Sequence, residues 1–185
     1  MILALAGLVA VACGGEARGT LEAVIDPEGE TSGFASFAEG ADKGFGIFIC
    51  SSGGPVTIES IEPGHVEGEV EFLGSLVYTA GDRFVGATHG WPPNGLDESR
   101  TEPLEGANVD SDCDGPSGDE RVQLLIGAER TGPGGGVIDG LRVTTESGVL
   151  EIPYTILLCG DEMQYCELLV PEEGTGPSTT TDLEG

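Results

Sequence analysis

Apolar and polar residues alternate along several stretches of the chain, which is the spacing of half-buried β-strands. The clearest stretch is VEGEVEF at 66–72, where valine, glycine and phenylalanine fall on one face and three glutamates on the other. The segments RVQLLIGAE at 121–129 and VLEIPYTIL at 149–157 follow the same period of two. The residues predicted to face inward are Val66, Gly68, Val70, Phe72, Val122, Leu124, Ile126, Ala128, Leu150, Ile152, Tyr154 and Ile156.

Turn signals separate these stretches. Glycine occurs 32 times and proline 11 times, and no segment holds a sustained helical stripe of apolar residues. TTESGVL predicts a hairpin turning at Ser147-Gly148, and Pro153, which lacks an N–H, predicts an edge or bulged strand. Further strand candidates are FGIFIC, PVTIESI, SLVYTA, RFVGAT and GLRVTT.

About seven to nine short strands at this spacing predict an all-β fold. We expect an antiparallel β-sandwich, immunoglobulin-like in the broad sense, and the alternative is a small β-barrel.

Four segments follow from the composition along the chain. Residues 1–12 are predicted to be a signal peptide, and 13–40 a lipid-anchored tether that contains a candidate first strand, TLEAVIDP. The β-sandwich domain is expected at 41–170. Residues 171–185 have almost no apolar side chain and predict a disordered acidic tail.

The apolar run from Ile2 to Ala12 is too short to cross a bilayer, which takes about 20 residues. Its length suits the hydrophobic part of a secretory signal. The following VAVAC resembles a bacterial lipobox, which implies lipidation of Cys13 and a mature chain that starts there. The alternative is a plain secreted protein cut after Ala12. Secretory signals usually begin with Lys or Arg, and neither precedes this run. We therefore expect the true translation start to lie upstream.

Five cysteines are present, and lipidation of Cys13 would leave an even number for disulfides in an oxidising compartment. Four cysteines allow three pairings. We predict Cys50 with Cys113 and Cys159 with Cys166. The second pair would close the short turn CGDEMQYC.

The chain carries 33 acidic and 7 basic residues, for a net charge of −26. This field repels nucleic-acid phosphates, so we expect no nucleic-acid partner. The charge is typical of a highly soluble exported protein.

The segments GIFICSSGGPVTIESI and PYTILLCGDEMQYCEL resemble uncharacterised secreted lipoproteins of high-GC Gram-positive bacteria. The resemblance covers about residues 44–170. It implies a sandwich-like domain outside the cytoplasm, anchored to the cell membrane by lipid. It implies neither an activity nor catalytic residues.

Catalytic patterns are scarce. The two histidines, His65 and His89, lie beside glycine and proline, as loop residues do, and no Gly-x-Ser-x-Gly elbow is present. We therefore expect a binding or structural module rather than an enzyme, with an envelope protein or glycan as partner. A hydrolase with an unrecognised acid pair or triad is the alternative. Trp91, the single tryptophan, is the candidate binding residue; the competing interpretation is a partly buried side chain that plugs the sandwich.

Asp110, Asp112 and Asp114 alternate and precede Gly115, a spacing that resembles the start of a calcium loop. The position of the bidentate glutamate in an EF-hand is occupied by Arg121, and Pro116 stands where a backbone ligand is expected. We therefore expect no cofactor, and calcium at a weak structural site formed by these aspartates is the alternative. The competing interpretation is an exposed acidic turn.

Overall fold

The computed structural model of the protein describes residues 19–25, 39–80, 85–113 and 121–160, together with the backbone of 30–34. These residues build two β-sheets packed face to face. Sheet I contains β1 (Thr20–Ala23), β3 (Asp42–Ser52), β5 (Val70–Thr79), β6 (Ala87–His89), β7 (Thr101–Pro103) and β9 (Val122–Arg130). Sheet II contains β2 (Glu30–Phe34), β4 (Val56–Gly68), β8 (Asn108–Val109), β10 (Gly135–Thr145) and β11 (Gly148–Cys159).

The strand order in sheet I is β1-β3-β9-β5-β7, and β6 pairs with β3 on the edge that β1 also uses. The order in sheet II is β2-β11-β10-β4-β8. Every pairing is antiparallel except that of β2 with β11. The predicted β-sandwich is confirmed, and the barrel alternative is wrong for the part of the chain described, because the two sheets stay separate and open.

The core lies between the sheets and is supplied by alternate residues of the strands, as a period of two requires. Its buried members from the central strands are Phe45, Ile47, Ile49, Leu124, Ile126, Ala128, Ile138, Leu141, Val143, Ile152, Tyr154 and Ile156. The inward residues predicted for 121–129 and 149–157 all belong to this cluster, with Leu150 packed at its border.

The stretch 66–72 is a corner and not one strand, so the prediction for VEGEVEF is wrong. β4 ends at Gly68, whose φ of 82° is in the left-handed region, and β5 begins in the other sheet at Val70. Between them, the Glu69 N–H donates to the Gly135 carbonyl (2.7 Å). Val66 consequently lies outside the core and is 40% exposed.

Residues 131–134, which connect β9 of sheet I to β10 of sheet II, are tied to this corner. The Glu69 carboxylate accepts the Gly134 N–H at 2.6 Å, and the Glu69 carbonyl accepts the Thr131 N–H at 2.9 Å. The guanidinium of Arg130, 1% exposed, donates to the carbonyls of Gly132 and Pro133. A buried guanidinium therefore satisfies backbone groups of the crossing itself.

The predicted bulge at Pro153 is confirmed. Asp139 pairs with Thr155 and Leu141 with Ile152, so β11 has one residue more than β10 at this point. β2 pairs with β11 only from Tyr154 onward. The hairpin is also present, with Thr145 opposite Gly148, so its turn lies at 146–147, one residue earlier than expected.

The outer face of sheet II is polar. Arg142 Nε lies 2.8 Å from Glu151 Oε1 on the neighbouring strand, and the Thr155 hydroxyl donates to Asp139 at 2.7 Å. Beyond residue 58, the described residues give the outer edge of β4 no pairing strand. That edge segment carries the acidic residues Glu59, Glu62 and Glu67.

Cys50 and Cys113 form a disulfide, with their Cα atoms 5.0 Å apart. It joins β3 to the segment after β8, where the Ser51 N–H donates to the Ser111 carbonyl at 2.7 Å. This pairing of the prediction is confirmed, and a disulfide indicates an oxidising, extracytoplasmic environment. Cys159 is buried at the end of β11 and is disulfide-bonded too; its predicted partner, Cys166, lies outside the described residues.

The predicted signal peptide, Cys13 and the acidic tail also lie outside the described residues. Residues 20–34, which fall within the expected tether, supply β1 and β2 to the sheets. Among the residues described, no helix has the length and apolar character needed to span a membrane.

Removal of the central disulfide tests its contribution to stability. The double variant Cys50→Ala/Cys113→Ala frees a loop with a sequence separation of 63. We expect the free energy of unfolding to fall by about 4 kcal/mol, because the unfolded chain regains the entropy of that loop. Urea unfolding followed by circular dichroism measures it. An unfolding free energy equal to that of the wild type would contradict the expectation.

Candidate functional site

The outer face of sheet I is covered by residues 85–100, which we call the cover. Tyr78, Ala80 and Leu125 point to this face and are buried, although they do not belong to the core between the sheets. Side chains packed against them include Val85, Trp91 and Leu96 of the cover, together with Phe48 and Leu76 of the sheet. The cover thus has an apolar contact area of its own.

Gln123 anchors the start of the cover. Its side-chain carbonyl accepts the Val85 N–H at 3.0 Å, and its NH₂ group donates to the Val85 carbonyl at 3.3 Å. Gln123, the second residue of β9, is fully buried, so its amide must be paired. The pairing fixes the register of the cover on the sheet.

Trp91 anchors the middle of the cover. Its indole lies on Gly127 of β9 so closely that a Cβ atom there would overlap the ring. Gly44, directly opposite Gly127 on β3, leaves the same kind of space for Pro93. The Trp91 N–H donates to the Asp42 carboxylate at 2.6 Å. The glycine pair Gly44 and Gly127 therefore leaves room for Pro93 and Trp91 on the outer face of sheet I.

The end of the cover is held by a short 3-10 helix, Glu98–Arg100. Asp97 caps it by accepting the Ser99 N–H at 3.0 Å and the Ser99 hydroxyl at 2.6 Å. These hydrogen bonds from the Ser99 side chain and backbone lower the pKa of Asp97. The helix leads directly into β7, so both ends of the cover are fixed to sheet I.

Two depressions lie on either side of residues 93–96. The first, of about 480 Å³, is lined by Leu76, Pro92, Pro93, Asn94, Gly95, Leu96, Glu98, Thr101 and Pro103. The second, of about 450 Å³, is lined by Tyr78, Val85, Gly86, Ala87, Thr88, Pro93, Asn94, Gly95 and Leu96. Both are in the range of small-molecule sites, about 300–1,000 Å³. Among the described residues, one carboxylate, that of Glu98, lines the first depression, and no charged group lines the second.

Two hydroxyl groups of the second depression lack a hydrogen-bond partner among the described residues. Tyr78 as a whole is 4% exposed, and its hydroxyl, which makes no hydrogen bond to the described residues, is not fully buried. The Thr88 hydroxyl oxygen is fully buried and also lacks a partner among the described residues. Because the Thr88 oxygen has no exposed surface, the Tyr78 hydroxyl is the group of this pair that a ligand could contact.

Lys43, the only lysine of the chain, is 1% exposed and contacts His89 across the β3–β6 pair. An ammonium group can only donate, so His89 accepts at Nδ1 and the neutral ring carries its proton on Nε2. Burial lowers the pKa of Lys43, while the neighbouring Asp42 acts in the opposite direction. The contact occupies the His89 nitrogen that faces the protein.

The histidines were the candidate bases of the hydrolase alternative. His65 is exposed on β4, and its Nε2 lies 3.6 Å from the Glu67 carboxylate. His89 is bound to Lys43 through Nδ1. The described residues place no serine hydroxyl in hydrogen-bond contact with either ring. They assemble no Ser-His-acid arrangement.

The residues of the calcium hypothesis lie at the end of sheet I near the disulfide. Asp110 and Asp112 are exposed, and Asp112 forms a parallel bridge with Ser51. Asp114 lies outside the described residues. Among those described, no group of three or more His, Cys, Asp or Glu side chains is arranged to hold a metal ion. Calcium binding stays a prediction.

A further cavity of about 230 Å³ lies beside the Cys50–Cys113 disulfide. Asp112 and Arg121 line it together with apolar side chains. The Arg121 guanidinium lies 5.5 Å from the centroid of the Phe48 ring, a cation–π contact.

Sequence reasoning placed Trp91 in a loop but missed the groups around it. Gly127 gave the one available signal, since it interrupts the outer face of an otherwise apolar strand. Tyr78 was part of a predicted strand, but nothing in the sequence indicated that its hydroxyl would lack a partner. Binding through Trp91 stays a prediction, because its ring is half-buried against the sheet.

Comparison with known proteins gives no assignment. No family model matches the chain, and no curated protein matches it. Among solved structures, a family 123 glycoside hydrolase from Clostridium perfringens is similar over 71% of this chain and 23% of its own, with 11% identity and a TM-score of 0.38. A likeness of this size says nothing about activity.

The contact between Trp91 and Gly127 can be tested by a double-mutant cycle. Gly127→Ala should destabilise the protein by about 2 kcal/mol, because the new methyl group forces the indole off the sheet. In a Trp91→Ala background the same substitution should cost much less. Urea unfolding of the four proteins measures the coupling. Additive effects would show that the indole does not rest on Gly127.

The burial of Lys43 predicts a pH dependence of stability. Its unfolded-state pKa is near the ordinary 10.5, whereas burial lowers the folded-state pKa. Between those two values the unfolded chain binds more protons, so raising the pH stabilises the folded state. Relative to Lys43→Met, the wild-type unfolding free energy should therefore increase from pH 7 towards pH 10.5. A difference that stays flat or falls over this range, in urea unfolding, would contradict the expectation.

Proposed function

We propose that the protein is a binding module that a lipid on Cys13 holds at the outer surface of the cell membrane. Its partner is an envelope protein or glycan, bound through the cover and its two depressions. The resemblance of VAVAC to a lipobox and the Cys50–Cys113 disulfide support the location.

One observation carries the binding role: among the described residues that line the two depressions only Glu98 is charged, on a protein whose net charge is −26. A surface with only a solubility function would be expected to carry acidic groups there, as the outer edge of β4 does. The depressions also rest on a fixed base, because Gln123 and the glycine pair hold the cover in register. A preformed surface loses little conformational entropy on binding.

Catalysis is the weaker proposal. General-base chemistry needs a nucleophile and a base in contact. Among the described residues, His65 pairs with a glutamate and His89 with Lys43. The two depressions contain hydroxyl, amide and apolar groups, which suit recognition.

The location is tested by mass spectrometry of the N-terminal peptide from membrane fractions of the source cells. A diacylglycerol-modified Cys13 is the expected result, with several acyl chains in total because one chain anchors only marginally. An unmodified Cys13 at the N-terminus, recovered from culture supernatant, would refute the anchor while leaving the binding role open.

The binding role is tested by adding a single charge. Asn94 is exposed and lines both depressions. Asn94→Asp should weaken binding of the full chain to isolated cell envelope about tenfold, because an unpaired carboxylate is costly to desolvate. Asn108→Asp, an equally exposed asparagine on β8, is the matched control and should bind as the wild type does. Equal binding by both variants would exclude the cover as the binding surface.

A further inference from the structure

We propose that the second depression, beside Tyr78, binds an uncharged sugar ring, so that the partner of the cover is a neutral glycan. This inference rests on the proposed binding function and names its ligand class. The juxtaposition that carries it is a tyrosine hydroxyl that makes no hydrogen bond to the described residues, an amide and an apolar wall, in one depression whose described lining carries no charge.

The first argument is the unused hydrogen-bonding capacity. Tyr78 as a whole is 4% exposed, and its hydroxyl, which is not fully buried, makes no hydrogen bond to the described residues. Since Tyr78 lines the depression, its hydroxyl is available to a ligand there. A phenol hydroxyl can donate one hydrogen bond and accept others, and a sugar hydroxyl has the same dual capacity.

The second argument is the pairing of polar and apolar groups across the depression. Asn94 supplies an amide that both donates and accepts. Val85, Pro93 and Leu96 form an apolar wall. A pyranose ring has a hydrogen-bonding rim and faces of C–H groups, so it can use both surfaces at once. Its amphiphilic character matches the lining more closely than a purely apolar ligand would.

The third argument is charge. None of the described residues that line the depression is cationic, and the surrounding field of the chain is strongly negative, so an anionic ligand would be repelled. None of these described lining residues has a carboxylate either, so a cationic ligand would lose its hydration without gaining a counter-charge from them. An uncharged ligand avoids both costs.

The adjoining first depression extends the site. The two depressions share Pro93, Asn94, Gly95 and Leu96, so a second sugar unit bound there would continue across the same segment. A trisaccharide should consequently bind more tightly than its monosaccharide. The carboxylate of Glu98 in this depression also disfavours an acidic second unit.

Trp91 supplies the readout. It is the single tryptophan and directly precedes the Pro92-Pro93 segment that lines the site. The full chain is titrated with maltotriose, cellotriose, xylotriose, mannotriose and N,N′,N″-triacetylchitotriose, and with the monosaccharide of any trisaccharide that binds. We expect a saturable change in tryptophan fluorescence with at least one of these neutral sugars. Trigalacturonate and glucosamine, which carry charge, should bind at least several-fold more weakly.

Tyr78→Phe removes the hydroxyl and keeps the packing. It should weaken sugar binding about three- to tenfold, the effect of one hydrogen bond. Tyr154→Phe is the matched control, since Tyr154 is equally buried but lies in the core between the sheets. It should leave the affinity unchanged, and circular dichroism of both variants verifies that they are folded.

The remaining outcomes separate the two proposals. If no sugar gives a saturable signal but envelope binding still depends on Asn94, the cover binds a protein and the sugar proposal is overturned. If envelope binding also ignores Asn94→Asp, both proposals fall. Sugar binding that Tyr78→Phe leaves unaltered would place the ligand elsewhere and overturn the site.

Discussion

Strand β9 has neither face in water, and much of the molecule is arranged around that constraint. Its inward residues complete the core, and its outward residues Gln123, Leu125 and Gly127 are as buried as the inward ones. A strand that is buried on both faces needs a second layer, and the cover supplies it. Each outward residue has a distinct role: an amide that clamps backbone, an aliphatic side chain that packs, and a glycine that admits an aromatic ring.

The two outer faces of the sandwich are consequently unlike. Sheet II meets water directly with pairs such as Arg142–Glu151, which are exposed and contribute little to stability. Sheet I is closed off by a chain segment with its own apolar contacts. The described residues that line the depressions on this side are nearly all uncharged, in contrast to the charged pairs on sheet II. The proposed recognition surface is a product of this division.

The sequence contained most of the sheet pattern but little of the site. Alternation identified the inward faces of β9 and β11, because the inward residues of both strands belong to the core between the sheets. This holds whether the outward face is covered or meets water. The same alternation was misleading at 66–72, where Gly68 turns the chain into the other sheet while the polar spacing continues. β2 was missed because its parallel pairing with β11 is a tertiary contact and its sequence, ETSGF, has no apolar alternation. Four cysteines can be paired in three ways, and the sequence does not distinguish among them. Cys50 bonds to Cys113 because the fold places β3 beside the segment after β8.

The part of the β4 edge that no described strand pairs with bears on how copies of the protein behave when crowded. A free strand edge is a template for pairing with another chain, and natural proteins block such edges with charge and proline. Here Glu59, Glu62 and Glu67 place like charges along the edge that a second copy would have to approach, and Pro63 supplies no amide to a ladder. Molecules held side by side on a surface reach local concentrations at which edge pairing becomes a hazard. The negative charge of this strand thus opposes edge-to-edge pairing between copies. The repulsion weakens wherever protons or divalent cations neutralise the glutamates.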